Sequence, residues 1–244
     1  MTRSDAIPPP PSRVDLVLYR ICRFLSVGAS RLYFPGTVVG RENLPRTGAF
    51  ILAPVHRSYV DWLLVARITR RRLRYIVKEE VWKSKVAGRM LEVLGAFPVN
   101  RSGADRDALE RCQSVLAGGE PLVMFPEGTR RSGREVTDIR DGVAYLSLRM
   151  GVPIVPVGIG GSEGAMPRGA SFPHPRRVNL VIGRPILANS AAGTEAVPPP
   201  GEAGDPATTR RRARVPRSAT TEQSARLRTG LQDAFDAAEA SLRR

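Results

Sequence analysis

Between Thr37 and Pro185 short apolar runs alternate with stretches of helical periodicity, and this alternation restricts the fold more than any other feature of the chain. Runs at 37–41, 49–54, 74–77, 96–99, 121–125, 152–158 and 177–183 have strand length and end in glycine, proline or charged residues. The segments 58–70, 80–94, 103–117 and 138–150 between them carry helical spacing. Such a series predicts an α/β domain over residues 36–187, with a mostly parallel central sheet flanked by helices. In a sheet of that kind the chemistry gathers beyond the carboxyl ends of the strands.

The flanks of the domain read differently. Residues 1–35 comprise a proline-rich tail and a predicted amphipathic helix over 13–34, ended by Pro35. On that helix Arg13, Arg20 and Arg31 share one face, while Val14, Ile21, Leu25 and Leu32 lie roughly 80–120° around from it. The pattern suits a helix lying in a membrane interface and equally a helix packed on its own domain. No run approaches the ~18 apolar residues that a membrane span needs, and the proline cluster stands where a signal peptide would have its apolar core. Residues 188–220 carry almost no large apolar side chain and are expected to remain an unordered linker. Helical spacing returns in 221–244 at Leu227, Leu231, Ala234, Phe235, Ala238 and Leu242.

A net charge of +15, almost all of it arginine, calls for an anionic partner: nucleic acid, an anionic membrane surface or phosphorylated ligands. The two cysteines, Cys22 and Cys112, have no CxxC spacing and read as small buried hydrophobes in a reducing compartment. No His, Cys and acid cluster has metal-ligand spacing.

Polar clusters follow several predicted strands. In 56-HRSYVD-61, His56 falls in the turn before a helix and Asp61 in its first turn, so the two side chains can meet. A carboxylate on one imidazole nitrogen would fix the tautomer and leave the other nitrogen able to take a proton. By itself the spacing also fits a core histidine with a chance neighbour. Next, 95-GAFPVNR-101 places Arg101 after a short strand. In 121-PLVMFPEGTRRSG-133 an apolar run ends at Glu127, Gly128, Thr129 and Arg130. A buried acid and arginine are costly to desolvate unless paired or holding a ligand. Glu127 and Arg130 could equally cap the turn as an ion pair, and Gly128 could expose its N–H to an anion or a developing oxyanion. Finally, 152-VPIVPVGIGGS-162 looks like a wall.

HRSYVD, GAFPVNR, FPEGTR and VPIVPVGI, in this order, resemble the motif blocks of the glycerolipid acyltransferase family, and more narrowly its 1-acylglycerol-3-phosphate acyltransferase branch. GRENLP and IRDGVAYLS resemble its flanking segments. Val55 stands where the family commonly has asparagine, and Arg131 where serine often follows. The resemblance implies acyl transfer from acyl-CoA or acyl carrier protein to a lysophospholipid hydroxyl, with no cofactor. It implies His56 as general base, Asp61 as its orienter, and Ser58, Arg101, Glu127, Gly128, Thr129 and Arg130 at the substrates. The expected setting is peripheral, on the cytoplasmic face of the cell membrane.

Two rival readings stand beside this one. Gly160-Gly161-Ser162-Glu163-Gly164 satisfies G-x-S-x-G, a hydrolase nucleophile elbow, but 165-AMPRGASFPHP-175 is a poor helix to follow it, and His174 lies between two prolines. The charge alone would suit a nucleic-acid-binding protein, yet no recognition helix, zinc knuckle or aromatic RNA-binding strand is legible.

Overall fold

The computed structural model describes residues 12–78, 82, 85–99, 105–167, 169–188 and 215–243. Seven strands form one sheet: β1 (Val38–Val39), β2 (Ile51–Pro54), β3 (Arg74–Lys78), β4 (Ala96–Val99), β5 (Leu122–Val123), β6 (Ile154–Gly160) and β7 (Asn179–Ile182). Their order is β1-β7-β6-β2-β5-β3-β4. The five strands from β6 to β4 run parallel, while β7 is antiparallel to β6 and carries β1 parallel to itself at the edge. The mostly parallel sheet expected from the alternation is present.

β2 and β6 are buried along their whole length, as continuous apolar runs in the middle of a covered sheet should be. Side chains alternate between two cores. Leu52, Val155, Val157 and Ile159 pack with Leu64 of α2 (Asp61–Val65), whereas Ile51, Ala53 and Ile154 pack with Cys112 of α4 (Asp105–Ala117) and Leu146 of α5 (Gly142–Met150). α3 (Lys85–Val93) precedes β4. The last helix, α6 (Arg217–Ala240), lies directly on β6 and buries Leu227, Leu231, Ala234, Phe235 and Ala238. Two glycines allow that approach. A Cβ at Gly158 would stand 2.0 Å from the Ala234 carbonyl oxygen, and one at Gly160 would stand 2.5 Å from that of Ala238.

α1 (Arg13–Tyr33) starts at a capping box between Ser12 and Asp15. Only Tyr19, Val27 and Ser30 are buried, a stripe that partly buried Arg23 joins at helical spacing. The arginine face and the face of Val14, Ile21, Leu25 and Leu32 both stay exposed. At its end, buried Arg67 donates to the carbonyls of Phe34 and Gly36, at 2.9 and 3.1 Å. Burial, with Arg31 and Arg41 nearby, lowers the Arg67 pKa.

Several boundaries differ from the sequence expectation, and for four of them the structure shows why. The helix predicted over 58–70 is only Asp61–Val65, because Arg23 donates to the carbonyls of Ala66 and Thr69, and Arg41 to that of Arg67. These long-range donors take acceptors that the next helical turn would use. The helix predicted over 138–150 begins at Gly142, after Asp138 at φ 50°. The strand predicted over 121–125 is only Leu122–Val123, because the chain turns early toward the Phe125–Gly128 hydrogen bond at 3.0 Å. The linker expected to reach residue 220 gives way to helix at Arg217, where Thr220 is buried and its hydroxyl donates to the Pro216 carbonyl at 3.1 Å. Most of that linker, 189–214, lies outside the described residues.

Candidate active site

Beyond Pro54 the backbone of β2 keeps its pairing for one more residue, Val55 N–H donating to the Val157 carbonyl at 3.0 Å. The chain then leaves the sheet at His56 and turns through Ser58 and Tyr59 into α2, whose first residue is Asp61. Val60 precedes the helix without a side-chain cap. Instead the Asp61 carboxylate folds back: its Oδ2 accepts from the backbone N–H of Arg57 and of Ser58, both at 2.7 Å, and meets His56 Nδ1 at 3.0 Å. Asp61 is fully buried, and its Oδ1 has no partner.

Because Asp61 Oδ2 already accepts from two backbone N–H groups, it serves Nδ1 as an acceptor too, so Nδ1 carries the imidazole proton and Nε2 presents its lone pair. The ring is stacked on Phe125, with centroids 4.2 Å apart and planes at 28°. Its side chain is 23% exposed, enough for a substrate to reach it. The backbone around His56 is gripped on both sides: its N–H donates to Glu127 Oε2 at 2.8 Å, and its carbonyl accepts from Arg131 N–H at 2.8 Å.

The FPEGTR turn is therefore built against the His56 loop. Glu127 does not pair with Arg130. Its Oε1 accepts from Arg57 Nη1 at 2.5 Å, and both side chains are wholly buried. The resemblance sets Glu127 at the acceptor, whereas here it lies beneath the histidine with both oxygens engaged. Gly128 turns at φ 66°, and its N–H donates inward to the Phe125 carbonyl at 3.0 Å, so it does not face an oxyanion. A Cβ on Gly128 would stand 2.4 Å from Arg140 Nε. Thr129 is exposed. Arg130 lies over the Tyr59 ring, 3.2 Å from its centroid, and its Nη1 is buried without a partner. Ser58 is buried, with its hydroxyl donating to the Met166 carbonyl at 3.0 Å. Arg101 lies outside the described residues.

Arg57 is the residue that sequence reasoning missed. A charged side chain inside a polar block looks like surface, and its only signal is its place between two strand-end clusters that must touch. Ser162 is also buried, its hydroxyl has no partner, and turns rather than a helix follow it. A nucleophile elbow needs an exposed serine at a strand–turn–helix junction, so the hydrolase reading fails. Among the described residues, no three His, Cys, Asp or Glu side chains gather as a metal would require.

The sequence profile of the family described as Acyltransferase matches residues 36–160. A 1-acyl-sn-glycerol-3-phosphate acyltransferase of Bacillus subtilis (strain 168) is 29% identical over 150 residues, covering 61% of this chain and 72% of its own length. One from Chlamydomonas reinhardtii is 28% identical over 166 residues, covering 66% of this chain and 49% of its own. This chain thus spans about half the length of the algal relative. The crystal structure of the 1-acyl-sn-glycerophosphate (LPA) acyltransferase, PlsC, from Thermotoga maritima shares the fold with TM-score 0.66 at 22% identity, over 91% of this chain and 81% of that one.

Proposed function

Because this chain belongs to the acyltransferase family, we propose that it moves a fatty acyl group from acyl-CoA or acyl carrier protein to the free hydroxyl of 1-acylglycerol 3-phosphate, giving phosphatidate. The observation that carries the mechanism is the His56–Asp61 contact at 3.0 Å, with Nε2 turned away from the carboxylate that holds Nδ1. An alcohol is a poor nucleophile until a base takes its proton, a role worth ~10²–10⁴-fold. Nε2 removes the hydroxyl proton as the oxygen bonds to the thioester carbonyl carbon. Asp61 stabilises the imidazolium that forms. The tetrahedral intermediate then expels the thiolate, and the imidazolium proton returns to the sulfur. A thiol pKa near ~8.5 makes that departure easy, so no covalent serine is required.

Arg130 is proposed to bind the acceptor phosphate, since its Nη1 has no partner of its own and a guanidinium forms charge-assisted bonds with phosphate oxygens. Arg101 and Thr129 are assigned to the same acceptor by resemblance. Ser58, Glu127 and Gly128 support the site from below rather than touching the substrate. The exposed apolar face of α1, with Phe24 76% and Leu32 87% exposed beside Arg20 and Arg31, is proposed to rest on an anionic membrane surface. No helix among the described residues is long and apolar enough to cross a membrane. The thioester donor and the unpaired Cys22 and Cys112 fit the cytoplasmic face.

The test is purified protein with labelled palmitoyl-CoA and a panel of lysophosphatidate, glycerol 3-phosphate, a larger-headgroup lysophospholipid and a phosphate-free lysolipid. Phosphatidate should be the main product. His56→Ala should lower turnover by at least ~10²-fold with an unchanged melting temperature, and Arg130→Ala should raise KM for lysophosphatidate. Activity surviving His56→Ala, or preference for the phosphate-free acceptor, would overturn the base or the arginine assignment respectively.

A further inference from the structure

Residues 217–240 lie outside the segment that matches the family profile, yet α6 touches the Arg57 guanidinium through Phe235 and the neighbouring 134–136 segment through Gln232. Phe235 lies under the Arg57 guanidinium, 5.0 Å from ring centroid to Cζ. Gln232 Oε1 accepts from Val136 N–H at 2.7 Å, and its Nε2 donates to the Arg134 carbonyl at 2.9 Å, so the 134–136 segment is clamped to the helix. Glu239 accepts from Gly161 N–H at 2.8 Å, at the end of β6. The clamped segment in turn serves Arg57: Nη2 donates to the Glu135 carbonyl at 3.0 Å and Nε to the Gly133 carbonyl at 3.1 Å. The remaining nitrogen, Nη1, holds Glu127, whose second oxygen holds the His56 N–H. A continuous chain of contacts thus runs from α6 to the backbone of the base.

We infer that Arg57 is a positioning residue through which Gln232 and Phe235 of α6 set the place of His56. Arg57 presents almost no surface that a substrate could reach. It is wholly buried, and every guanidinium nitrogen faces an acceptor on the parts to be aligned. The fork matters because its three nitrogens point in fixed directions in one plane, which an ammonium cannot reproduce. Holding a base in line with its proton affects the chemical step far more than substrate binding, so the expected signature is a loss of kcat with KM kept.

The inference rests on the proposed acyl transfer, so its test pairs kinetics with a readout that needs no activity. Gln232→Ala removes the clamp from the rim of the site, and Arg57→Lys removes the fork while keeping the charge. Gln232→Ala should lower kcat about tenfold and Arg57→Lys about 30-fold or more, with KM for both substrates changed less than about twofold. The double variant should be no more than about twofold worse than Arg57→Lys alone, because both act along one chain of contacts. Amide hydrogen exchange across residues 55–58 should speed up in both single variants even if no acyl transfer is found in the parent protein. Multiplicative kcat losses, unchanged exchange at 55–58, or a lowered melting temperature with kcat per folded molecule retained would each overturn the inference.

Discussion

Replacing Glu127 by glutamine separates a carboxylate that supports the site from one that binds substrate. The carboxylate accepts from two donors at once, Arg57 Nη1 at 2.5 Å and His56 N–H at 2.8 Å. An amide has one oxygen, so whichever donor it serves, its NH2 group confronts the other. The variant loses the anionic partner of a wholly buried guanidinium and leaves one buried N–H unsatisfied. Breaking a buried pair from one side costs ~3–5 kcal/mol. At ~2–4 °C per kcal/mol for a domain of this size, the melting temperature should fall by about 6–20 °C. Thermal unfolding followed by circular dichroism, with His56→Ala as the control, measures this directly. A glutamine variant that melts within 2 °C of the parent and mainly raises KM for the acceptor would refute the reasoning, because Glu127 would then be free to serve a ligand.

Other consequences of the structure can be checked as simply. Gly158→Ala should destabilise by about 3 kcal/mol or more in a denaturant titration, since the new Cβ would collide with backbone at Ala234 rather than with a side chain that could move. Burial pushes the Cys112 thiol up to about 12, so a thiol reagent at pH 8 should modify Cys22 in the native protein and reach Cys112 only after unfolding. Because that pKa is raised, stability should be unaffected below pH ~8.5 and decline as the pH rises from there toward 12, where the unfolded thiol ionises first. Phe24→Ser with Leu32→Ser on α1 should weaken co-sedimentation with anionic vesicles without changing the melting temperature, both side chains being exposed in the protein.

The sheet was legible because its central strands are buried on both faces. A run such as 154-IVPVGIG-160 is the pattern of a strand covered on both faces of a sheet. His56 and Asp61 were legible as a pair because a turn followed by a helix start leaves few ways for five residues to run. The ends of α2 were not, since they depend on arginines from positions 23 and 41 that local periodicity cannot contain. Nor was the partner of Glu127: Arg57 and Arg130 are chemically identical in a sequence, and only the packing of two strand ends decides which is buried. The role of the 217–240 helix was equally hidden, because its polar contacts at Gln232 and Glu239 lie between the apolar positions that define its period.

The seat of α6 on β6 also has a consequence for biosynthesis. β6 lies beside the sheet's central strand, β2, and is complete at residue 160, yet the helix that covers it begins only at Arg217. At ~5–20 residues per second, a ribosome would leave that apolar surface uncovered for several seconds. During that interval the nascent chain presents a sticky sheet face, and a chaperone has its best target there. Expression should therefore depend on holdase capacity more steeply than the stability of the finished protein would suggest. Slow codons between β6 and α6 would worsen aggregation, whereas slow codons after α6 would not.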